Sequence, residues 1–117
     1  MDKKTKVLIA DDSAFMRKVL KDILQNIGFT DFIEAENGND ALAKYKSEKP
    51  GLVLLDVIMP EKDGLQVLKE IGTQTKVMII SAVGQGSMIE EAKLYGAVDY
   101  IVKPFDKEAV EAKIKNL

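Results

Sequence analysis

Five short apolar runs punctuate the chain: Val7–Ala10, Phe32–Ala35, Leu52–Leu55, Val77–Ile80 and Val98–Val102. They are mostly continuous rather than alternating, the pattern of strands covered on both faces of a parallel sheet. Between them, apolar residues recur at helical spacing. Phe15, Val19, Leu20, Ile23, Leu24 and Ile27 mark a helix that stops at Gly28, and Ala41, Leu42 and Tyr45 mark one that "EKPG" terminates. Leu65, Leu68 and Ile71 lead to Gly72, and Met88, Ile89, Ala92 and Tyr95 lead to Gly96. Ala109, Val110, Ile114 and Leu117 mark the last helix. The alternation predicts an α/β fold, (βα)5, with a doubly wound five-stranded parallel sheet and loops of about two to six residues. Right-handed crossovers then set helices on both faces. No linker or repeat interrupts the pattern, so residues 1–117 read as one domain, long enough for a single core.

Composition removes whole classes of function. The chain has no cysteine and no histidine, which excludes disulfides, thiolate chemistry and histidine-based catalysis or metal ligation. Net charge is −2, the lysines are scattered, and Arg17 is the only arginine, so no basic patch for nucleic acid is present. The apolar runs fall far short of the roughly 18 residues a membrane span needs. The basic start "MDKKTKV" is followed by too short an apolar stretch for a signal peptide. A cytoplasmic protein without membrane contact is the expectation.

In open parallel sheets, ligands bind beyond the carboxyl ends of the strands. The residues just past each run are Asp11 and Asp12 after the first, Glu36 after the second and Asp56 after the third. Ser81 follows the fourth and Lys103 the fifth. Singly, each has an ordinary reading: Asp12 or Ser13 as a helix cap, Asp56 as a turn before Pro60, Lys103 as a surface lysine. Adjacent carboxylates, however, repel by about 4 kcal/mol at about 4 Å and an effective dielectric of about 20, so the doublet needs a reason. Three acids, a hydroxyl and a lysine on one sheet edge supply it. Mg2+ takes one or two carboxylates and shares its remaining positions with water and phosphate oxygens. Lys103 would add a mobile positive charge and Ser81 a donor, the set phosphoryl transfer uses. A flavodoxin would instead want a phosphate-cradling loop where "DDSAF" stands, and phosphatases of the D-x-D type would want an acid where Ile58 stands.

The stretches "DDSAFMRKVLKDIL", "LVLLDVIMPEKDG", "IISAVGQ" and "DYIVKPF" resemble response-regulator receiver domains of two-component signalling, over essentially the whole chain. "AFMRKVLKDIL" and "SAVGQ" are most similar to free-standing, CheY-like chemotaxis regulators. The resemblance implies the flavodoxin-like strand order 2-1-3-4-5. It also implies that Asp56 accepts a phosphoryl group from a histidine kinase. Asp12, Asp56 and the Ile58 backbone carbonyl would ligate Mg2+ directly, Asp11 through water, with Mn2+ or Ca2+ able to substitute. Lys103, the Ser81 hydroxyl and the Ala82 backbone N–H would hold phosphoryl oxygens. Tyr100 would be an aromatic switch that moves inward when Ser81 is drawn to the phosphate. The Lys103–Pro104 bond would be cis, which sequence alone gives only about 5%.

Departures from the family pattern are Ser81 where Thr is commoner, Gly51 where Asp is common, and a short "IGTQTKV". The implied partners are a kinase, an auxiliary phosphatase, and a target such as a flagellar switch component. The target would dock on the fourth helix, fifth strand and fifth helix, where Lys93, Tyr95, Tyr100 and Lys113 lie. Two alternatives share the residues: a receiver belonging to a larger DNA-binding or enzymatic regulator, and a Mg2+-dependent small-molecule phosphatase.

Overall fold

A computed structural model describes residues 1–117. The strands are β1 (Lys6–Ala10), β2 (Asp31–Ala35), β3 (Leu52–Leu55), β4 (Lys76–Ser81) and β5 (Asp99–Val102). They pair in parallel in the order β2-β1-β3-β4-β5. The helices are α1 (Ala14–Asn26), α2 (Gly38–Glu48), α3 (Gly64–Ile71), α4 (Gly86–Leu94) and α5 (Lys107–Lys115).

The continuous apolar runs divide into two cores because successive side chains leave opposite faces of a strand. Leu8, Val53, Leu55, Val77 and Ile79 pack against residues of α2, α3 and α4. Val7, Ile9, Leu54, Met78 and Ile80 pack against α1 and α5. All four residues of β3, at the centre, are buried.

Ser13 caps α1 by accepting from the Met16 N–H, and Asp63 and Gln66 form a reciprocal capping box on α3. After α1, Gly28 adopts φ 110°, a left-handed turn that a side chain would strain. At "EKPG" the left-handed residue is Lys49 instead, at φ 48°.

Two expectations are corrected. The β3–α3 connection runs over residues 56–63, longer than six, because Val57 and Met59 fold back into the core after the strand has ended. Phe15 keeps helical spacing yet is 74% exposed, since the first turn of α1 stands above the sheet edge. Gly51 precedes β3, at the opposite end of the sheet from the acidic residues, so that departure leaves them untouched.

Candidate functional site

β1 and β3 are neighbours, so the residues that follow them meet at the carboxyl edge. The Asp11 N–H donates to Ala35 at 3.1 Å and the Asp56 N–H to Ala10 at 3.0 Å, carrying the ladders one step past the strands. Both side chains are thereby sunk into the edge: Asp11 is 2% exposed and Asp56 6%. Carboxylate oxygens of Asp11, Asp12 and Asp56 all lie within 4.8 Å of one another.

Lys103 joins the cluster from the far side. Its N–H donates to the Ser81 carbonyl at 2.8 Å, which sets the residue just beyond β5 beside β4. Its ammonium donates to Asp11 Oδ2 at 2.7 Å and to Asp56 Oδ2 at 3.0 Å. The charge expected to be mobile is therefore fixed between two acids. The peptide that follows it, Lys103–Pro104, is cis.

The remaining carboxylate oxygens are divided by local turns. Asp11 Oδ1 accepts the Ser13 N–H at 2.9 Å, and Asp56 Oδ1 accepts the Ile58 N–H at 3.1 Å. Asp12 is exposed, and its carboxylate has neither a hydrogen bond nor an ion pair. Burial pushes the Asp11 carboxyl above its usual range, against the opposing hydrogen bonds from Lys103 and Ser13. Burial works to lower the Lys103 pKa, but the hydrogen bonds its ammonium donates to Asp11 and Asp56 prevail and leave it above 10.5.

Ser81 is fully buried, and its Oγ accepts the Val83 N–H at 3.3 Å. That leaves the hydroxyl proton available to another acceptor. The Ala82 N–H, on an exposed residue, donates no backbone hydrogen bond. Tyr100, expected to move inward on phosphorylation, already lies with its ring buried, and its hydroxyl donates to the Val83 carbonyl. Burial raises the Tyr100 pKa above 10.0. Ser81 and Tyr100 thus meet on one residue, Val83. Glu36 stays exposed and outside the acidic cluster.

Sequence reasoning missed two contributors. Arg17 donates from Nη1 to the Asp11 backbone carbonyl at 2.7 Å and from Nε to Glu34 at 3.0 Å. Its being the only arginine is the one sequence signal for it. The second is Gly64, the first residue of α3. A Cβ there would stand 2.0 Å from the Asp56 carbonyl, so the bare α carbon lets α3 begin against the Asp56 backbone.

The donor set fits a hard divalent cation. It consists of three carboxylates and, on the same loop as Asp56, an Ile58 carbonyl that accepts no hydrogen bond. Oxygen donors without nitrogen or sulfur suit Mg2+, Mn2+ or Ca2+.

A family model described as the response regulator receiver domain matches residues 7–115. The chain is 49% identical over 108 residues to the chemotaxis protein CheY of Bacillus subtilis and 46% identical to that of Thermotoga maritima, covering 90% of each chain in both cases. It is 38% identical to the probable transcriptional regulator ycf27 of Pyropia yezoensis, matching 99% of this chain and 48% of that protein. Among solved structures, a CheX-CheY-BeF3-Mg complex from Borrelia burgdorferi aligns with a TM-score of 0.91 and 34% identity, covering 96% of this chain and 87% of the other. The fold, the acidic edge and these likenesses agree, and the chain belongs to the response regulator receiver domain family, as a relative of the CheY chemotaxis proteins.

Proposed function

We propose that this chain is a phosphorylation-controlled signalling switch, a single receiver domain over residues 1–117, in which Asp56 receives a phosphoryl group from a histidine kinase. The observation that carries the reading is one ammonium, Lys103, bonded to both Asp11 and Asp56 inside a cluster of three carboxylates. In the transfer, an Asp56 oxygen forms a bond to phosphorus as the P–N bond of a phosphohistidine breaks. The electron pair leaves with the imidazole, which takes a proton from solvent. Asp12, Asp56 and the Ile58 carbonyl would hold Mg2+ directly and Asp11 through water, with Mn2+ or Ca2+ as substitutes. When bound, the cation supplies charge neutralisation for the phosphoryl oxygens. The Lys103 ammonium, the Ser81 hydroxyl and the Ala82 N–H are the donors for those oxygens.

The output is binding rather than turnover. The chain accepts phosphate from small donors weakly and loses it slowly, and an auxiliary phosphatase ends the signal. Leu94, Tyr95, Val98 and Val102, exposed on the α4–β5 surface, support a target protein there, such as a flagellar switch component. Lys93 is free on that face, whereas Lys113 is held by both oxygens of Asp99 at 3.0 Å. The Borrelia complex, with CheX, BeF3 and Mg, supports both a cation and a protein partner. No helix is long and apolar enough to cross a membrane.

The test is incubation with acetyl phosphate and Mg2+, followed by mass spectrometry of the intact protein. A single phosphoryl adduct, absent in Asp56→Asn, is the expected result. Turnover of donor without any adduct would favour a small-molecule phosphatase instead. The match to half of the ycf27 regulator favours a second reading, a receiver joined to a DNA-binding output. Immunoblotting the native protein for its length separates the two.

A further inference from the structure

Arg17 touches none of the three carboxylates, yet it holds the backbone that carries two of them. Its side chain is 14% exposed, and its Nη1 meets the Asp11 carbonyl at 2.7 Å. That oxygen belongs to the planar peptide unit joining Asp11 to Asp12, so the bond fixes the plane from which Asp12 departs. Asp11 has other anchors, in Lys103, Ser13 and Ala35. The Asp12 side chain has none, and its place is set by its backbone alone. The guanidinium is itself held at Nε by Glu34, which lies on β2 beside Ile9 of β1. Lys44 donates to the Glu34 carbonyl and pairs with Asp40 at 3.1 Å, tying the same stretch to α2.

We propose that Arg17, braced by Glu34, is a positioning residue for the cation site: it orients the Asp11–Asp12 peptide so that Asp12 faces Asp56. The inference rests on reading the acidic cluster as a divalent-cation site. A planar guanidinium reaches a carbonyl and a carboxylate together, which a lysine ammonium on its flexible stem does less well. Groups that orient metal ligands from behind typically alter affinity by about 10–100-fold when lost.

Simple electrostatics gives the opposite sign. Removing a positive charge beside a cation site strengthens cation binding, so weaker binding in Arg17→Met reports lost orientation, whereas in Glu34→Gln the lost negative charge acts in the same direction. The full chain is titrated with Mn2+, free Mn2+ being read from its electron paramagnetic resonance signal, for wild type, Arg17→Met, Arg17→Lys and Glu34→Gln. Ile23→Val, a buried change on the same helix, is the control for general loss of stability. The expected result is about ten-fold or more weaker binding in Arg17→Met, an intermediate loss in Arg17→Lys and Glu34→Gln, and no change in Ile23→Val. Equal or tighter binding in Arg17→Met overturns the proposal, as does a loss no greater than that of Ile23→Val. Failure of the wild type itself to bind Mn2+ overturns the cation-site reading, and the positioning role with it.

Discussion

Lys103 and Asp11 stand 92 positions apart in sequence, and their charged groups meet at 2.7 Å, closer than the 3.0 Å between Lys103 and Asp56. Because the folded pKa of Lys103 lies above 10.5, its contribution to stability is complete below 10.5 and disappears as pH rises through the folded value. Urea unfolding in chelator, repeated from pH 8 to 12, is expected to show a steeper alkaline loss in wild type than in Lys103→Met. Parallel curves for the two proteins would refute this.

Ser81→Ala should leave phosphorylation of Asp56 intact, because Lys103 and the carboxylates remain. It removes the oxygen that accepts the Val83 N–H, while Val83 still receives the Tyr100 hydroxyl. The variant should lose about 1 kcal/mol of stability, the usual net worth of one hydrogen bond. The Tyr100 ring should no longer respond to phosphorylation, as read from its NMR signals. A ring response equal to wild type would break the proposed link.

The path to the Asp56 phosphoryl group should be poor for water. Ile58 is 58% exposed and Val83 is half-buried, and neither side chain can hydrogen-bond a water or orient it. Ile58→Asn, alone and combined with Val83→Glu, should accelerate dephosphorylation by about ten-fold, below the roughly 10²–10⁴ of a positioned general base. The check is decay of the adduct after the donor is removed, with unchanged rates counting against the idea.

Gly64→Ala would drive a methyl group to 2.0 Å from the Asp56 carbonyl and 2.7 Å from the Val57 α carbon. Backbone must move, and overpacking of this kind costs about 1–3 kcal/mol. Thermal melts should show the loss, and Mn2+ binding should weaken because the displaced backbone carries Asp56. Wild-type behaviour in both would refute the constraint.

The strands were legible because burial on two faces demands continuous apolar runs, and the edge residues followed from where those runs stop. Strand order was not legible: β1 pairs with β2 and β3 through crossovers that leave no local mark, and the order came from the family resemblance alone. The length of the 56–63 connection was not legible, because no spacing shows that Val57 and Met59 turn back into the core after β3 has ended. Phe15 was misplaced for a related reason, since periodicity tells which face of a helix is apolar but not how far the helix overhangs its sheet. The tethering of Lys103 and the grip of Arg17 on a backbone carbonyl depend on distances between segments far apart in sequence. No spacing encodes them.

The central place of β1 has a consequence in time. A ribosome releases β1, β2 and β3 first, and these three are neighbours able to pair as they emerge, whereas Lys103 arrives only with β5. Until then Asp11, Asp12 and Asp56 would converge with no ammonium among them. The residue just past the last strand thus delivers the counter-charge at the edge where the first and third strands bring their carboxylates together.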